Sequence, residues 1–312
     1  MKWPLPILQL VPDNTKFDFV RYRFVAFAVS ILMTLAALGI FFVNGLNYSI
    51  DFTGGTIIEI ALDEEPDLST LREQLNNLNI GSVSIQEFGD SKTLMIRLGQ
   101  QPGDELAQKK TIDMVRTQLD TLYGEQIDYR RVEYVGPQVG DELKMMALMA
   151  FGFSTLGILV YISFRFEWRF GVAAIFTLIH DTIATIGLFA LTGLHFDLAT
   201  LAAILMVIGY SLNDTIVIFD RIRENLRKYK KMPIRDLLNL STNQTLARSL
   251  MTSATTMLVL IALLVFGGEV IRNFTYALIF GVIVGTFSSI YVGGPALMYM
   301  NIRRDERPDE AE

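Results

Sequence analysis

The chain has no cysteine and only two histidines, His180 and His195, in 312 residues. Without cysteine there are no disulfides, no thiolate nucleophiles and few routes to a zinc site. Two imidazoles are too few for a multi-histidine metal centre. Charge is scarce as well, at 19% Asp, Glu, Lys and Arg, and the balance is acidic, with a formal net charge of −6. A general nucleic-acid binder would be basic, so no nucleic-acid partner is expected. The patterns of phosphate-handling and hydrolytic enzymes are missing too. No Gly-Lys-Ser/Thr follows a glycine-rich run, and no His-Glu-x-x-His occurs. The nearest approach to a nucleophile elbow, Gly209-Tyr210-Ser211-Leu212-Asn213, ends in Asn where Gly is required. The expectation is a protein that is not an enzyme and uses no metal and no cofactor.

What the chain has in excess is apolar sequence: 51% hydrophobic residues and a mean hydropathy of +0.37. That exceeds the range of ordinary soluble chains and points to a bilayer as solvent. Six segments reach spanning length: 24–43, 145–164, 171–194, 198–219, 250–266 and 274–300. Twenty helical residues cover about 30 Å, the thickness of a hydrocarbon core. For the first segment a cleaved signal peptide is the alternative. Its length and the preceding residues 1–23, with Trp3, Pro4 and Pro6, favour a retained membrane helix.

Orientation follows from Lys and Arg in the short connections. Lys2, Lys16, Arg21 and Arg23 precede the first span, Arg165 and Arg169 join the second to the third, and seven basic residues lie between Arg221 and Arg235. The connection between the third and fourth spans has none, and that between the fifth and sixth has Arg272 alone. Both termini, including the tail 301–312, are thus expected to be cytoplasmic, in a multi-pass membrane protein. The insert 44–144 is then external, or periplasmic.

That insert carries nine Lys or Arg against eighteen Asp or Glu. Long domains cross regardless of charge, so its acidity does not oppose the topology. Its pattern is β-branched and apolar at 56–62, helical at 67–78, extended at 83–88 and 93–98 around a Gly-Asp turn, helical at 102–123 and extended at 127–135. A βαββαβ order predicts an α+β ferredoxin-like domain, a fold that by itself specifies no function. Ahead of it, Gly54-Gly55 permits backbone angles that other residues avoid and is expected to be a hinge or a plain turn. The five remaining spans form a bundle over 145–300.

Charges inside the spans are few and costly: an Asp at mid-helix costs roughly 2.5–3.5 kcal/mol on insertion scales. Asp181, beside His180, and Asp214, beside Asn213, are therefore expected to face the bundle interior or a water path. Arg248 enters the membrane with the fifth span at a depth similar to that of Asp214, so an ion pair between them, direct or through water, is geometrically possible. A buried acid near an arginine is a candidate proton carrier; the plainer reading is a paired structural acid. Arg248, Thr252 and Thr255 share one helix face, and Ser249, Ser253 and Thr256 the adjacent one. Gly281, Gly285, Ser288 and Ser289 are small residues that allow close helix packing.

These residues resemble a known family. One helix, an external βαββαβ domain and five further helices make half of the resistance–nodulation–division transporter plan. Asp51-Phe52-Thr53-Gly54-Gly55-Thr56 looks like the opening motif of the SecD/SecF protein-export family. The run Gly209-Tyr210-Ser211-Leu212-Asn213-Asp214-Thr215 through Asp220-Arg221-Ile222-Arg223-Glu224-Asn225 is similar to the fourth-span signature of its SecF branch. Arg248-Ser249-Leu250-Met251-Thr252-Ser253 and Gly285-Thr286-Phe287-Ser288-Ser289-Ile290-Tyr291 match the motifs of the fifth and sixth spans. The resemblance implies an accessory subunit of the Sec translocon that works with SecD, usually with YajC, beside SecYEG and SecA, and uses proton flow to help exported polypeptide across. It implies that Asp214 is the proton-responsive acid and Arg248 its basic partner. A free-standing small-solute exporter and a scaffold that conducts no protons are the alternatives.

Overall fold

The computed structural model describes residues 15–78, 80–81, 83–100, 105–268, 270–300 and 302. Trp3, Pro4 and Pro6, the expected helix start at 102–104 and most of the tail 301–312 lie outside the described residues. After a 3-10 turn at Phe19–Tyr22, the first span α1 runs Arg23–Asn44 and stops at Gly45, whose φ is +69°. A two-residue strand β1 (Asn47–Tyr48) and a single helical turn α2 (Ile50–Thr53) then lead into β2 (Gly55–Leu62).

The insert follows the expected order: β2, α3 (Leu68–Asn76), β3 (Val83–Phe88), β4 (Asp90–Leu98), α4 (Glu105–Tyr123) and β5 (Ile127–Val135). The sheet order is β3-β4-β2-β5, antiparallel throughout, which is the ferredoxin-like arrangement. Asp67 starts α3 by accepting the Ser69 N–H at 2.9 Å, an N-cap legible in the sequence. β2 sits at the centre, with Ile58 opposite Ile96 on one side and Val132 on the other. Its β-branched run is buried because both faces are covered. Ile58, Ile60, Leu94, Ile96 and Leu98 pack with Leu71, Leu75, Val115 and Leu119 of the two helices, while Ile57 and Met95 pack with Ile50 on the reverse face. β4 begins at Asp90 rather than at residue 93, because Asp90 pairs with Phe88 at the hairpin end after Gly89 turns at φ +88°, and the polar Ser91-Lys92 carry the strand through an irregularity in register. Polar residues at a sheet edge hide a strand from propensity.

Five further spans follow: α5 (Pro137–Arg165), α6 (Trp168–Thr192), α7 (Leu198–Lys228), α8 (Ile234–Phe266) and α9 (Arg272–Ser288). A two-residue strand β6 (His195–Phe196) between α6 and α7 pairs in parallel with β1. Among the described residues, six helices are thus long and apolar enough to cross a membrane. α6, α7 and α9 form the buried centre, whereas α5 is barely covered along its length. Close approach is set by glycine. A Cβ on Gly187 would lie 2.3 Å from Ala37 Cβ of α1, and one on Gly281 would lie 2.1 Å from Val207 Cγ2 of α7.

Several helices outrun the hydropathy windows. α5 starts at Pro137, eight residues before the expected 145, because proline suits a first helical position and the polar turn after it is simply continuous with the span. α8 starts at Ile234 rather than 250. Its first half is rich in Ser, Thr and Asn, yet Ser241, Thr242 and Thr245 are buried and hydrogen-bond the carbonyls of Leu237, Leu238 and Ser241. This half also receives the chain before α1: Asn239 and Asn243 accept the N–H groups of Val20 and Phe17, and Arg235 pairs with Asp18 at 2.6 Å. The last span is not one regular helix to 300. It passes through a π turn at Ser289–Gly293, where Gly293-Gly294-Pro295 removes a backbone donor, and ends in a 3-10 turn at Leu297–Met300.

Candidate functional site

Ser211, Asp214 and Thr215 stand at i, i+3 and i+4 on α7 and so share one face. All three are buried, and each meets a polar group from a different neighbour. Asp181 of α6, fully buried, accepts Ser211 Oγ at 2.5 Å and Ser288 Oγ of α9 at 2.8 Å on Oδ2. Its Oδ1 lies 2.8 Å from His180 Nδ1. Asp214 Oδ1 accepts Ser249 Oγ of α8. Thr215 and Ser289 hydroxyls are 2.8 Å apart, and Ser289 also reaches the Ser211 carbonyl at 3.3 Å. Further along, Tyr210 donates to Ser253, which meets Thr286 at 2.7 Å. The result is a polar seam through the apolar centre, joining α6, α7, α8 and α9.

Two buried atoms in this seam have no hydrogen-bond partner among the described residues: His180 Nε2 and Asp214 Oδ2. In hydrocarbon such atoms cost free energy unless they gain or share a proton. The chemistry available is proton exchange coupled to hydrogen-bond direction. As a carboxylate, Asp181 only accepts, and Ser211 and Ser288 both point to it. Ser288 has one proton for two acceptors, since Gly285 O is 3.1 Å away. Protonating Asp181 on Oδ2 makes that oxygen a donor, and one of the two hydroxyls must then turn to accept from it. Protonating Asp214 alters its bond to Ser249 in the same way, and with it the link between α7 and α8.

The start of α7 is tied to the insert domain. Asp197 Oδ1 accepts the Thr200 N–H at 2.6 Å and Asp51 Oδ2 accepts the Leu198 N–H at 3.2 Å, so two carboxylates cap the helix that carries Asp214. Arg97 of β4 reaches this place: its Nη1 donates to Asn47 at 3.4 Å, and the charges of Asp51 and Asp197 act on it. Burial lowers the Arg97 pKa and the two carboxylates raise it. His195 Nε2 is 2.7 Å from Gln86 Oε1 of β3. Burial, aided by the charge of Arg97, pushes the His195 pKa down to about 4, which keeps the imidazole neutral at ordinary pH. Gly54 and Gly55, at φ +69° and +120°, complete the junction; a Cβ on Gly55 would sit 2.5 Å from the Leu98 carbonyl oxygen.

Against this geometry, the family model for "Protein export membrane protein SecD/SecF, C-terminal" matches residues 114–303, and the model for the SecD/SecF GG motif matches residues 39–65. The chain belongs to the SecD/SecF family. It is 44% identical over 295 residues to the protein translocase subunit SecF of Rickettsia rickettsii (strain Sheila Smith), covering 94% of this chain and 95% of that one. To SecF of Rickettsia bellii (strain OSU 85-389) it is 43% identical over 300 residues, 96% of this chain and 98% of that one. The crystal structure of SecDF from Thermus thermophilus, titled a translocon-associated membrane protein, superposes with a TM-score of 0.82 at 36% identity. The match covers 93% of this chain and 39% of that longer chain. SecDF in its super-membrane-facing form gives a TM-score of 0.67 at the same identity and coverage.

The structure separates the expected site residues into two groups. Asp181, His180 and Asp214 are buried together in the seam with Ser288, and Gly281 and Gly285 are where α9 touches α7. Asn213, Arg248 and Thr252 are exposed on the outside of the bundle. No ion pair within 4.0 Å links Arg248 to Asp214. The neighbouring position, Ser249, is the one that turns inward onto Asp214, while Thr252 and Thr255 bond their own helix carbonyls. Ser211 and Thr215 carried no sequence signal of a role in the seam, although they lie one turn and one residue from Asp214; Ser289 was expected only as a small packing residue. Arg97, Asp51 and Asp197 carried no sequence signal of their meeting.

Proposed function

We propose that this chain is an accessory subunit of the Sec protein translocase that, with SecD, uses the proton motive force to promote late steps of polypeptide export across the bacterial inner membrane. The observation that carries the proposal is the pair of buried carboxylates, Asp181 and Asp214, each held by serine hydroxyls from a neighbouring helix. Protons supply the drive, with no cofactor. Crossing 100 mV is worth about 2.3 kcal/mol per charge, so one proton is enough to bias two helix arrangements of similar energy.

In this reading Asp214 is the titrating acid, and His180 and Asp181 form a second proton-holding pair deeper in the bundle. Asn213, Arg248 and Thr252 face outward because they meet the related six-helix half, SecD, across a shared interface. Arg248 then acts on Asp214 by charge through space. Both termini are cytoplasmic and the insert domain is periplasmic, where it handles emerging polypeptide; YajC, SecYEG and SecA complete the assembly. Because Asp51 and Asp197 cap α7, a shift of α7 reaches the domain, which pivots at Gly54-Gly55. The two SecDF forms superpose unequally on this chain, in keeping with a mobile arrangement.

The test is complementation of cells depleted of their own subunit. Wild type should restore export of a secreted reporter, whereas Asp214→Asn, inserted at equal level and co-purifying with SecD, should not. Full restoration by the variant contradicts the proton role; altered drug tolerance in place of altered export favours a small-solute exporter.

A further inference from the structure

At the bundle end opposite the insert domain, α5 and α7 part to leave a cleft of about 620 Å³ lined by Arg165, Asp220, Arg223, Glu224, Arg227 and Lys228. Two of its cations are held in place: Arg165 Nη2 donates to Asp220 at 2.9 Å, and Arg223 Nη1 donates to the Arg165 carbonyl at 3.4 Å. Both carboxylates are already engaged, Asp220 by Arg165 and Glu224 by Arg221 on the neighbouring flank. Arg227 and Lys228 are exposed and form no ion pair among the described residues. The cleft therefore has positive charge to spare.

One face of α5 has no protein cover among the described residues, while Ile162 on another face is buried in the bundle. Phe153, Val160 and Phe164 fall on one face at helical spacing, and Phe164 is 90% exposed. Three residues beyond Arg165 comes Trp168, with the Arg169 guanidinium 5.5 Å from its ring centre, a pairing suited to the membrane–water boundary. Cations at this end follow from the positive-inside rule alone. Their placement in a concave seat between two helices, above an uninterrupted apolar track, does not.

We propose that the cleft between α5 and α7 binds the phosphate-bearing headgroup of an anionic phospholipid, whose acyl chains lie along the exposed face of α5. Guanidinium groups take phosphate oxygens in a fork geometry, and basic pockets between membrane helices are suited to such headgroups. The site is separate from the polar seam and does not depend on proton coupling.

The experiment is native mass spectrometry of the full chain in detergent, titrated with cardiolipin, phosphatidylglycerol or phosphatidylcholine. Wild type should retain the anionic lipids at concentrations at least about tenfold lower than phosphatidylcholine. Arg223→Gln/Arg227→Gln/Lys228→Gln should lose that preference while unfolding in phosphatidylcholine as wild type does. If the triple variant misfolds, Arg227→Gln alone should weaken retention about fivefold. Millimolar inorganic phosphate should not displace the lipid; displacement would assign the cleft to a soluble phosphoryl compound and overturn the lipid reading. Equal retention of neutral and anionic lipid, or a well-folded variant that keeps the preference, overturns it as well.

Discussion

Replacing Gly281 by alanine tests how tightly the seam is held. The new Cβ would lie 2.1 and 2.5 Å from the two Val207 methyls and 2.9 Å from Val207 Cβ. Ordinary carbon contacts are about 3.5–4.0 Å, so relief needs a separation of about 1.5 Å. A rotamer change does not supply it, because both methyls and the Cβ are too close and a β-branched side chain in a helix has one favoured χ1. α9 must therefore move away from α7. A shift of that size stretches the 2.8 Å bond between Thr215 of α7 and Ser289, in the π turn that continues α9, beyond hydrogen-bond range. Overpacking costs about 1–3 kcal/mol and loss of a hydrogen bond between neutral groups about 0.5–1.5 kcal/mol, so about 2–4 kcal/mol is expected. Reversible unfolding of the full chain in detergent, for Gly281→Ala, Val207→Ala and the double variant, reads it directly. The double variant should be more stable than Gly281→Ala alone, with a coupling of at least about 1 kcal/mol. A Gly281→Ala protein within about 0.5 kcal/mol of wild type, or no rescue, refutes the packing argument.

Gly55→Ala should cost about 3 kcal/mol, because it combines φ +120° with a Cβ only 2.5 Å from a backbone oxygen that cannot swing away; an unfolding midpoint equal to wild type would refute this. His195 has a folded pKa of about 4 against 6.5 for the free side chain, so the unfolded chain binds the extra proton between those values. Its contribution leaves stability unchanged above pH 6.5 and lowers it as pH falls towards 4. His195→Gln should flatten that part of the pH–stability curve, and an unchanged slope would contradict the assignment. Arg248→Lys should keep most export stimulation, because Arg248 does not touch Asp214; complete loss in the same export assay would show that guanidinium geometry matters.

Most of the architecture was legible in the sequence because its signals are periodic or absolute. Uncharged runs of spanning length, the Asp67 cap, the β-branched stretch that became β2 and the glycines at turns each have a single physical reading. Helix extents were less legible where polar side chains are satisfied within their own helix: the buried Ser241, Thr242 and Thr245 lower hydropathy without ending α8. Of the seam, the acids announced themselves through their cost in a membrane. Their partners did not, since a serine such as Ser211 or Ser288 looks the same whether it merely packs or donates to a carboxylate. Which face of α8 turns inward is a one-residue question that helical spacing left open, and it decided between Arg248 and Ser249 as the neighbour of Asp214. The junction of Arg97, Asp51 and Asp197 joins residues 46 to 146 positions apart and leaves no local trace.

The most direct test of proton coupling is export of a secreted substrate into membrane vesicles containing SecD and either wild type or Asp214→Asn, with and without an imposed proton gradient. A proton-coupled subunit predicts that the gradient speeds export with wild type and leaves the variant at its gradient-free rate. Equal acceleration of both would make Asp214 a structural acid and the chain a scaffold.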